Sequence, residues 1–286
     1  MKLLLLPNTD KPHVFSCIAR LTRTQFSQPV EFLMEDRLSD RCVGCTNMRF
    51  GSLEELMKEC DVCVAVGGDG TIIHGGKIAA CHNRPVLGIN LGHLGFLATL
   101  ESDQLERIDR LLTGEYTTEK RMMLRVTLET PSGSRSWQAM NDAVLSKGGP
   151  LNRMIGMSVE NRMRMVGSYR ADGLIFSTPT GSTAYAMSAG GPIIDPAINC
   201  IAMTPLSPHS LFSRPIVFDD ESKLGICLSE ADAKAYLTID GEESVPVWPR
   251  DRLHIEKSEI AVTLINLTGK SFYDVLNEKL IWRSRK

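Results

Sequence analysis

A chain of 286 residues has room for two domains or one large one, and at that length about three quarters of the unfolded surface can be buried without disulfide or metal staples. Hydrophobic residues make up 43% and charged residues 23%, an ordinary globular composition that excludes disordered, collagen-like and coiled-coil chains. The formal net charge of −2 leaves no electrostatic footprint for nucleic acid or an anionic membrane, so any bound anion needs a local site.

The opening Met1-Lys2-Leu3-Leu4-Leu5-Leu6-Pro7 carries too short an apolar run for a secretory leader, and no later run is long enough to cross a membrane. The leucines predict a buried strand over residues 2–6, and a cytoplasmic protein is expected. Residues 12–26 predict a helix opened by Pro12. Ser52 and Glu55 form an S-x-x-E capping box for a helix through Lys58. A strand over 60–66, a helix over 71–81 and a strand over 85–90 follow. A helix over 103–112 is expected to start at Ser102 and to close on Gly114. This alternation predicts a Rossmann-like α/β domain with a parallel sheet over residues 1–118.

The texture then changes. Short strand patterns recur at 124–129, 137–145, 155–159, 163–166, 174–177, 216–218, 224–228, 236–239, 252–256 and 261–265, with turn residues between several of them. They predict a β-rich, sandwich-like domain over 119–267. Residues 271–282 return to a helical pattern, and the segment 268–286 is expected to pack back on the first domain. No internal repeat is present.

The eight cysteines include two C-x-x-C pairs, Cys42/Cys45 and Cys60/Cys63, at nearly a zinc-ribbon spacing. The second pair sits in an apolar strand pattern, where free Cys acts as a small hydrophobe, and that reading is preferred to zinc. Disulfides are not expected in such a chain.

The first segment with chemical content is Gly67-Gly68-Asp69-Gly70-Thr71, three glycines around one carboxylate between a buried strand and a helix. Glycine lets backbone approach a ligand closely, and the N–H groups at a helix start attract anions. A carboxylate there would repel a phosphate, so Asp69 either orders a metal or accepts a proton from an attacking hydroxyl; a plain helix cap is the bland alternative. A Walker A loop is excluded, because Gly70 and Gly75 are followed by Gly76, Lys77 and Ile78. The dinucleotide fingerprint fails at Ile73, which stands where its third glycine belongs, and the protein-kinase motif set is absent. The second segment runs from Asp172 through Ser177-Thr178-Pro179-Thr180-Gly181-Ser182-Thr183-Ala184-Tyr185. Its hydroxyls and backbone N–H groups are suited to ribose, phosphate or an adenine edge, and equally to an ordinary Ser/Thr-rich turn.

In this order the segments closely resemble the NAD kinases. The family's GGDGT motif is Gly67-Gly68-Asp69-Gly70-Thr71, and its NLGHLGF segment spans residues 90–96. Its asparagine–carboxylate pair is Asn141-Asp142, and its DG…STPTGSTAY…SAGGP stretch spans 172–192. Residues 204–211 and the Asp240-Gly241 turn match as well. The resemblance covers roughly residue 64 to the C-terminus. GGDGT-like turns also occur in lipid kinases and phosphofructokinases; joined to STPTGSTAY, the motif is specific.

The resemblance implies transfer of the terminal phosphoryl group of ATP to the 2′-hydroxyl of the adenosine ribose of NAD, giving NADP. Asp69 would accept the hydroxyl proton, with Mg2+ bridging the donor phosphates; no residue is assigned as a direct metal ligand. Gly70 would approach ribose and phosphates, and Asn141 and Asp142 would hold the adenine and the ribose hydroxyls. Thr183, Ala184, Tyr185 and Ser188 would frame the adenine and nicotinamide ends. Asp172 would face the nicotinamide side across a subunit boundary, which implies a homo-oligomer, dimer or tetramer. Three positions depart from common family usage: Asp142 where many relatives carry Glu, His74 where Arg is frequent, and Glu242 near a frequent Gln. Arg170 resembles relatives that prefer ATP to polyphosphate, and Arg153 is a candidate contact to the same ligand. The competing readings are a lipid kinase of the GGDGT type, which leaves residues 178–185 unexplained, and a non-catalytic dinucleotide sensor, which has no use for Asp69.

Overall fold

In a computed structural model that describes residues 1–92, 95–97, 100–149, 153–210, 213–229 and 234–281, the chain divides into two compact units. Met1–Lys120 and Val262–Lys286 form one, and Arg121–Ala261 the other.

The first unit runs β1 (Lys2–Pro7), α1 (Val14–Arg23), β2 (Glu31–Glu35), β3 (Met48–Gly51), α2 (Leu53–Glu59), β4 (Val62–Gly67), α3 (Asp69–Cys81), β5 (Val86–Asn90), β6 (Leu100–Glu101) and α4 (Asp109–Thr113). Its strands pair in parallel in the order β3-β2-β1-β4-β5. Every residue of β4 and β5 is buried, as expected of parallel strands covered on both faces. Helix α1 buries Val14, Cys17, Ile18 and Leu21, one stripe of a 3.6-residue period. At α2 the Ser52 cap forms as expected, its Oγ accepting the Glu55 N–H at 3.4 Å and donating to the Glu55 carboxylate at 2.7 Å.

Several boundaries differ from expectation. Pro12 does not open α1; the chain enters at His13 in the left-handed region, φ 65°, and the helix ends at Arg23. The helix expected over 103–112 is a 3-10 turn, Leu105–Ile108, followed by the short α4, which Gly114 closes at φ 78°. Strands β2 and β3 were not foreseen: Glu, Leu and Met in β2 are good helix formers, and only pairing with β1 makes that segment extended.

The second unit continues with β7 (Thr117–Thr130), β8 (Gly133–Ala139), β9 (Asp142–Lys147), β10 (Ile155–Asn161), β11 (Arg164–Ala171), β12 (Gly173–Ser177), α5 (Tyr185–Ser188), β13 (Cys200–Leu206), β14 (Ile216–Asp219), β15 (Lys223–Leu228), β16 (Ala235–Ile239), β17 (Glu243–Val247) and β18 (Arg252–Asn266). Both β7 and β18 pass between the units along the chain. One sheet is antiparallel in the order β14-β13-β12-β9-β16-β17. The strands β11-β10-β15-β18, with β7 beside β18 and β8 beyond β7, make the facing layer. Leu124 and Val126 of β7, Met157 of β10 and Ile255 of β18 share one core with Leu145, Phe176, Met203 and Leu237 of the opposite sheet. That is a sandwich core. The helical C-terminus is α6 (Phe272–Leu276) followed by a π-turn, Asn277–Ile281; the rest of the expected helix, at Trp282, lies outside the described residues.

The pattern over 137–145 reads as one strand but forms two, and the cause is distant in sequence. The carboxylate of Asp240 accepts the backbone N–H groups of Met140 (3.0 Å), Asn141 (2.7 Å) and Asp142 (3.1 Å), pulling the chain out of ladder geometry between β8 and β9. Asp240 itself is left-handed, φ 49°, and Gly241 follows at 71°. Conversely, the segments 252–256 and 261–265 are parts of one strand. Strand β13 was missed because it carries Pro205; the proline is tolerated because β14 pairs only with residues 200–203, leaving that side of β13 without a ladder. Strand β17 was also not foreseen, and it too carries a proline, Pro246. Substituting Asp240→Ala strips an ionised acceptor from three backbone donors. We expect a loss of about 3 kcal/mol or more of stability, read as a lowered midpoint in urea unfolding. An unchanged midpoint would show that this clamp does not hold the turn.

Candidate active site

Strand β4 delivers Gly67 to the C-terminal edge of the parallel sheet, where ligand sites of α/β folds lie. A Cβ on Gly67 would stand 2.1 Å from Oγ1 of Thr71, so the turn into α3 closes only over a glycine. Oγ1 of Thr71 in turn accepts the Gly68 N–H at 3.3 Å. Asp69 is the first residue of α3, two residues before the expected start. Its side chain meets the loop after β5, because β4 and β5 are neighbours in register, Gly67 opposite Asn90. Oδ2 of Asp69 accepts the Phe96 N–H at 2.7 Å, and Oδ1 accepts the Leu97 N–H at 3.1 Å. A Cβ on Gly95 would lie 1.8 Å from Oδ1, which explains the glycine of the second motif. A cation completes the group: Nζ of Lys279 is 3.9 Å from Oδ2. Two separately recognised motifs are thus one site. Gly70 and His74 are exposed on the first turns of α3. His93, inside the second motif, lies outside the described residues.

In the second unit the Asp240 clamp shapes a cleft of about 380 Å³ lined by Asn141, Asp142, Tyr185 and Thr238 among others. The STPTGSTAY turn is stapled to it: Oγ1 of Thr178 donates to the Met140 carbonyl at 2.7 Å, and the Thr178 N–H donates to the Asn141 carbonyl at 2.9 Å. Gly181 packs so closely that a Cβ there would stand 2.0 Å from the Asn141 oxygen. Tyr185, half exposed, gives the cleft a flat aromatic wall beside Ala184.

Of the expected site residues, the cleft gathers Asn141, Asp142, Ala184 and Tyr185. Thr183 sits in the turn beneath them with its hydroxyl on the Thr180 carbonyl, and Ser188 is exposed at the end of α5. Asp172 is not a cleft residue; it pairs with Lys147 at 2.8 Å. Arg153 and Arg170 are exposed, the latter on β11, and Glu242 is exposed on the turn between β16 and β17. Sequence reasoning assigned no role to Thr238, Ser146, Asp240 or Lys279. The Asp240-Gly241 pair, a left-handed turn signal, was the one visible pointer to the clamp.

Asp142 is almost wholly buried, and its carboxyl is pushed up to about 7, first by burial and then by the negative charge of Asp240. The folded state therefore holds this proton more tightly than the unfolded chain, whose carboxyl titrates near ~3.9. Stability contributed by Asp142 falls as pH rises from about 4 through about 7. Asp142→Asn cannot ionise, so its melting temperature relative to the parent should be higher at pH 8 than at pH 5, as calorimetry at both pH values would show. A difference that is the same at both would contradict a buried titrating carboxyl.

Comparison with known proteins places these features. The sequence profile of the ATP-NAD kinase N-terminal domain matches residues 15–116, and that of the ATP-NAD kinase C-terminal domain matches residues 140–267. An NAD kinase of Moorella thermoacetica is 36% identical over 277 residues, covering 96% of this chain and 88% of the relative. One from Symbiobacterium thermophilum is 42% identical over 224 residues, covering 78% and 79%. Among solved structures, a yeast NADH kinase complexed with NADH shares the fold at a TM-score of 0.86 and 23% identity, covering 100% of this chain and 89% of that one. An NAD kinase from Archaeoglobus fulgidus in complex with ATP aligns at a TM-score of 0.70 and 25% identity, over 96% and 99%. With both halves of its sequence matched and the glycine–aspartate turn intact, this chain belongs to the ATP-NAD kinase family.

Proposed function

We propose that Asp69 is the group that takes the proton from the 2′-hydroxyl of the adenosine ribose of NAD as the terminal phosphoryl group of ATP is transferred to that oxygen. The new bond joins the ribose oxygen to phosphorus, the bond between phosphorus and the β-bridging oxygen breaks, ADP leaves, and the hydroxyl proton moves to the carboxylate. The observation that carries the reading is the fixing of both Asp69 oxygens by the Phe96 and Leu97 N–H groups. A base held this way loses little orientational freedom on reaching the transition state. Phosphoryl transfer proceeds through a loose transition state, in which placement and charge dominate.

Asn141 and Asp142 are assigned to the adenine and ribose hydroxyls, with Ala184 and Tyr185 as the wall against which a ring stacks. Near neutral pH Asp142 is partly protonated, so it can donate as well as accept a hydrogen bond to a sugar hydroxyl. A divalent cation, Mg2+, is assigned to the donor. When bound it would neutralise charge on the donor oxygens. Asp172 is assigned to the nicotinamide side in an assembled homo-oligomer. All eight cysteines are free, which supports assignment to a reducing compartment, and we propose the cytoplasm.

The test is a coupled assay with NAD, ATP and Mg2+ in which an NADP-specific dehydrogenase reports product, with polyphosphate replacing ATP in a parallel arm. The parent should form NADP with ATP, and Asp69→Asn should lose ~10²–10⁴ in turnover. Full activity in that variant would remove Asp69 from the role. Silence of the parent with NAD binding intact would indicate a sensor, and silence without it would direct attention to lipid substrates.

A further inference from the structure

A carboxylate at the point of phosphoryl transfer creates an electrostatic conflict, because the donor arrives as an anion and like charges repel. The first unit brings a cation to that carboxylate from near the end of the chain. Lys279 lies on the π-turn Asn277–Ile281, and its Nζ is 3.9 Å from Oδ2 of Asp69. The same Nζ stands 4.2 Å from the ring centroid of Phe96, whose backbone N–H donates to that same Oδ2. Phe96 in turn packs against Phe272 of α6, ring centroids 6.4 Å apart. The Lys279 and Asp69 side chains are 25% and 31% exposed, so the pair is better shielded than a solvated surface ion pair. At 3.9 Å the contact is charge against charge, since a hydrogen bond would be shorter. Single π-turns are rare and recur at functional sites.

We propose that Lys279 is a positioning residue for the phosphoryl transfer, offsetting the charge of Asp69 and clamping Phe96 so that the carboxylate keeps its aim while an anionic donor arrives. The inference rests on Asp69 as proton acceptor. It assigns the C-terminal segment a part in the reaction that neither motif contains. Two contributions are separable: the alkyl stem covers the Phe96 ring, and the ammonium faces both the ring and the carboxylate.

Lys279→Met keeps the stem and removes the charge, whereas Lys279→Arg keeps a charge. Steady-state kinetics with ATP and NAD should show kcat lowered about tenfold or more in Lys279→Met, with KM for NAD within about twofold of the parent. Its melting temperature should match the parent, and Lys279→Arg should recover most of the lost kcat. Lys279→Gln serves as a second neutral variant if the methionine destabilises the fold. A parental kcat in the neutral variants would overturn the proposal. So would an arginine variant as impaired as the neutral ones, or a loss of kcat matched by an equal loss of NAD affinity. Asp69→Asn, run alongside, separates the two readings. If it is inactive while the neutral Lys279 variants are parental, only the present inference fails. If Asp69→Asn turns over like the parent, the proton-acceptor assignment fails first.

Discussion

The carboxylate of Asp69 is gripped by two backbone N–H groups of a loop that follows a different strand, and that grip dictates what can stand around it. Backbone must come within hydrogen-bonding distance of both oxygens, so Gly95 has no room for a side chain. The turn from β4 into α3 must be equally tight, which excludes a side chain at Gly67. The grip is possible because β4 and β5 are adjacent and in register, ending at Gly67 and Asn90. Both strands are buried along their whole length, so their ends are rigid supports. The parallel sheet therefore converts two loops, far apart in sequence, into one site with a single carboxylate at its centre.

The second unit uses the same contact, a carboxylate accepting backbone N–H groups, for a different purpose. There a carboxylate organises backbone donors to shape a cleft, with Asp240 drawing in the N–H groups of residues 140–142 and the STPTGSTAY turn closing over their carbonyls. The arrangement has a cost. Asp142 is buried beside Asp240, and burial together with that neighbouring charge pushes its carboxyl up to about 7. Carboxyls shifted this way by burial and a neighbouring charge cluster at functional sites.

Much of the fold was legible because its causes are local. The four leucines of β1, the capping box of α2 and the glycine closing α4 each act within a few residues and made the α/β half readable, while the short alternating strand patterns with turn residues between them did the same for the β-sandwich half. What was not legible has causes at a distance. Strand β2 has the composition of a helix and is extended because it pairs with β1; β13 tolerates Pro205 because β14 stops short of it. The break between β8 and β9 is imposed by Asp240, about a hundred residues away. The same distinction applies to the sites. The two motifs were visible as strings of letters, whereas their union at Asp69 depends on sheet register. Lys279 lies outside both motifs in a segment that reads only as an amphipathic end, and nothing local marks it as a neighbour of the carboxylate.

The central claim is that Asp69 acts in the chemical step and not in binding NAD. The most direct measurement is a single-turnover, rapid-quench reaction of parent and Asp69→Asn enzymes with saturating NAD and ATP, paired with calorimetric titration of NAD. The account predicts that the variant binds NAD with an affinity close to the parent's and forms NADP at least ~10² times more slowly once both substrates are bound. An unchanged single-turnover rate, or a slow rate explained wholly by lost NAD binding, would contradict it.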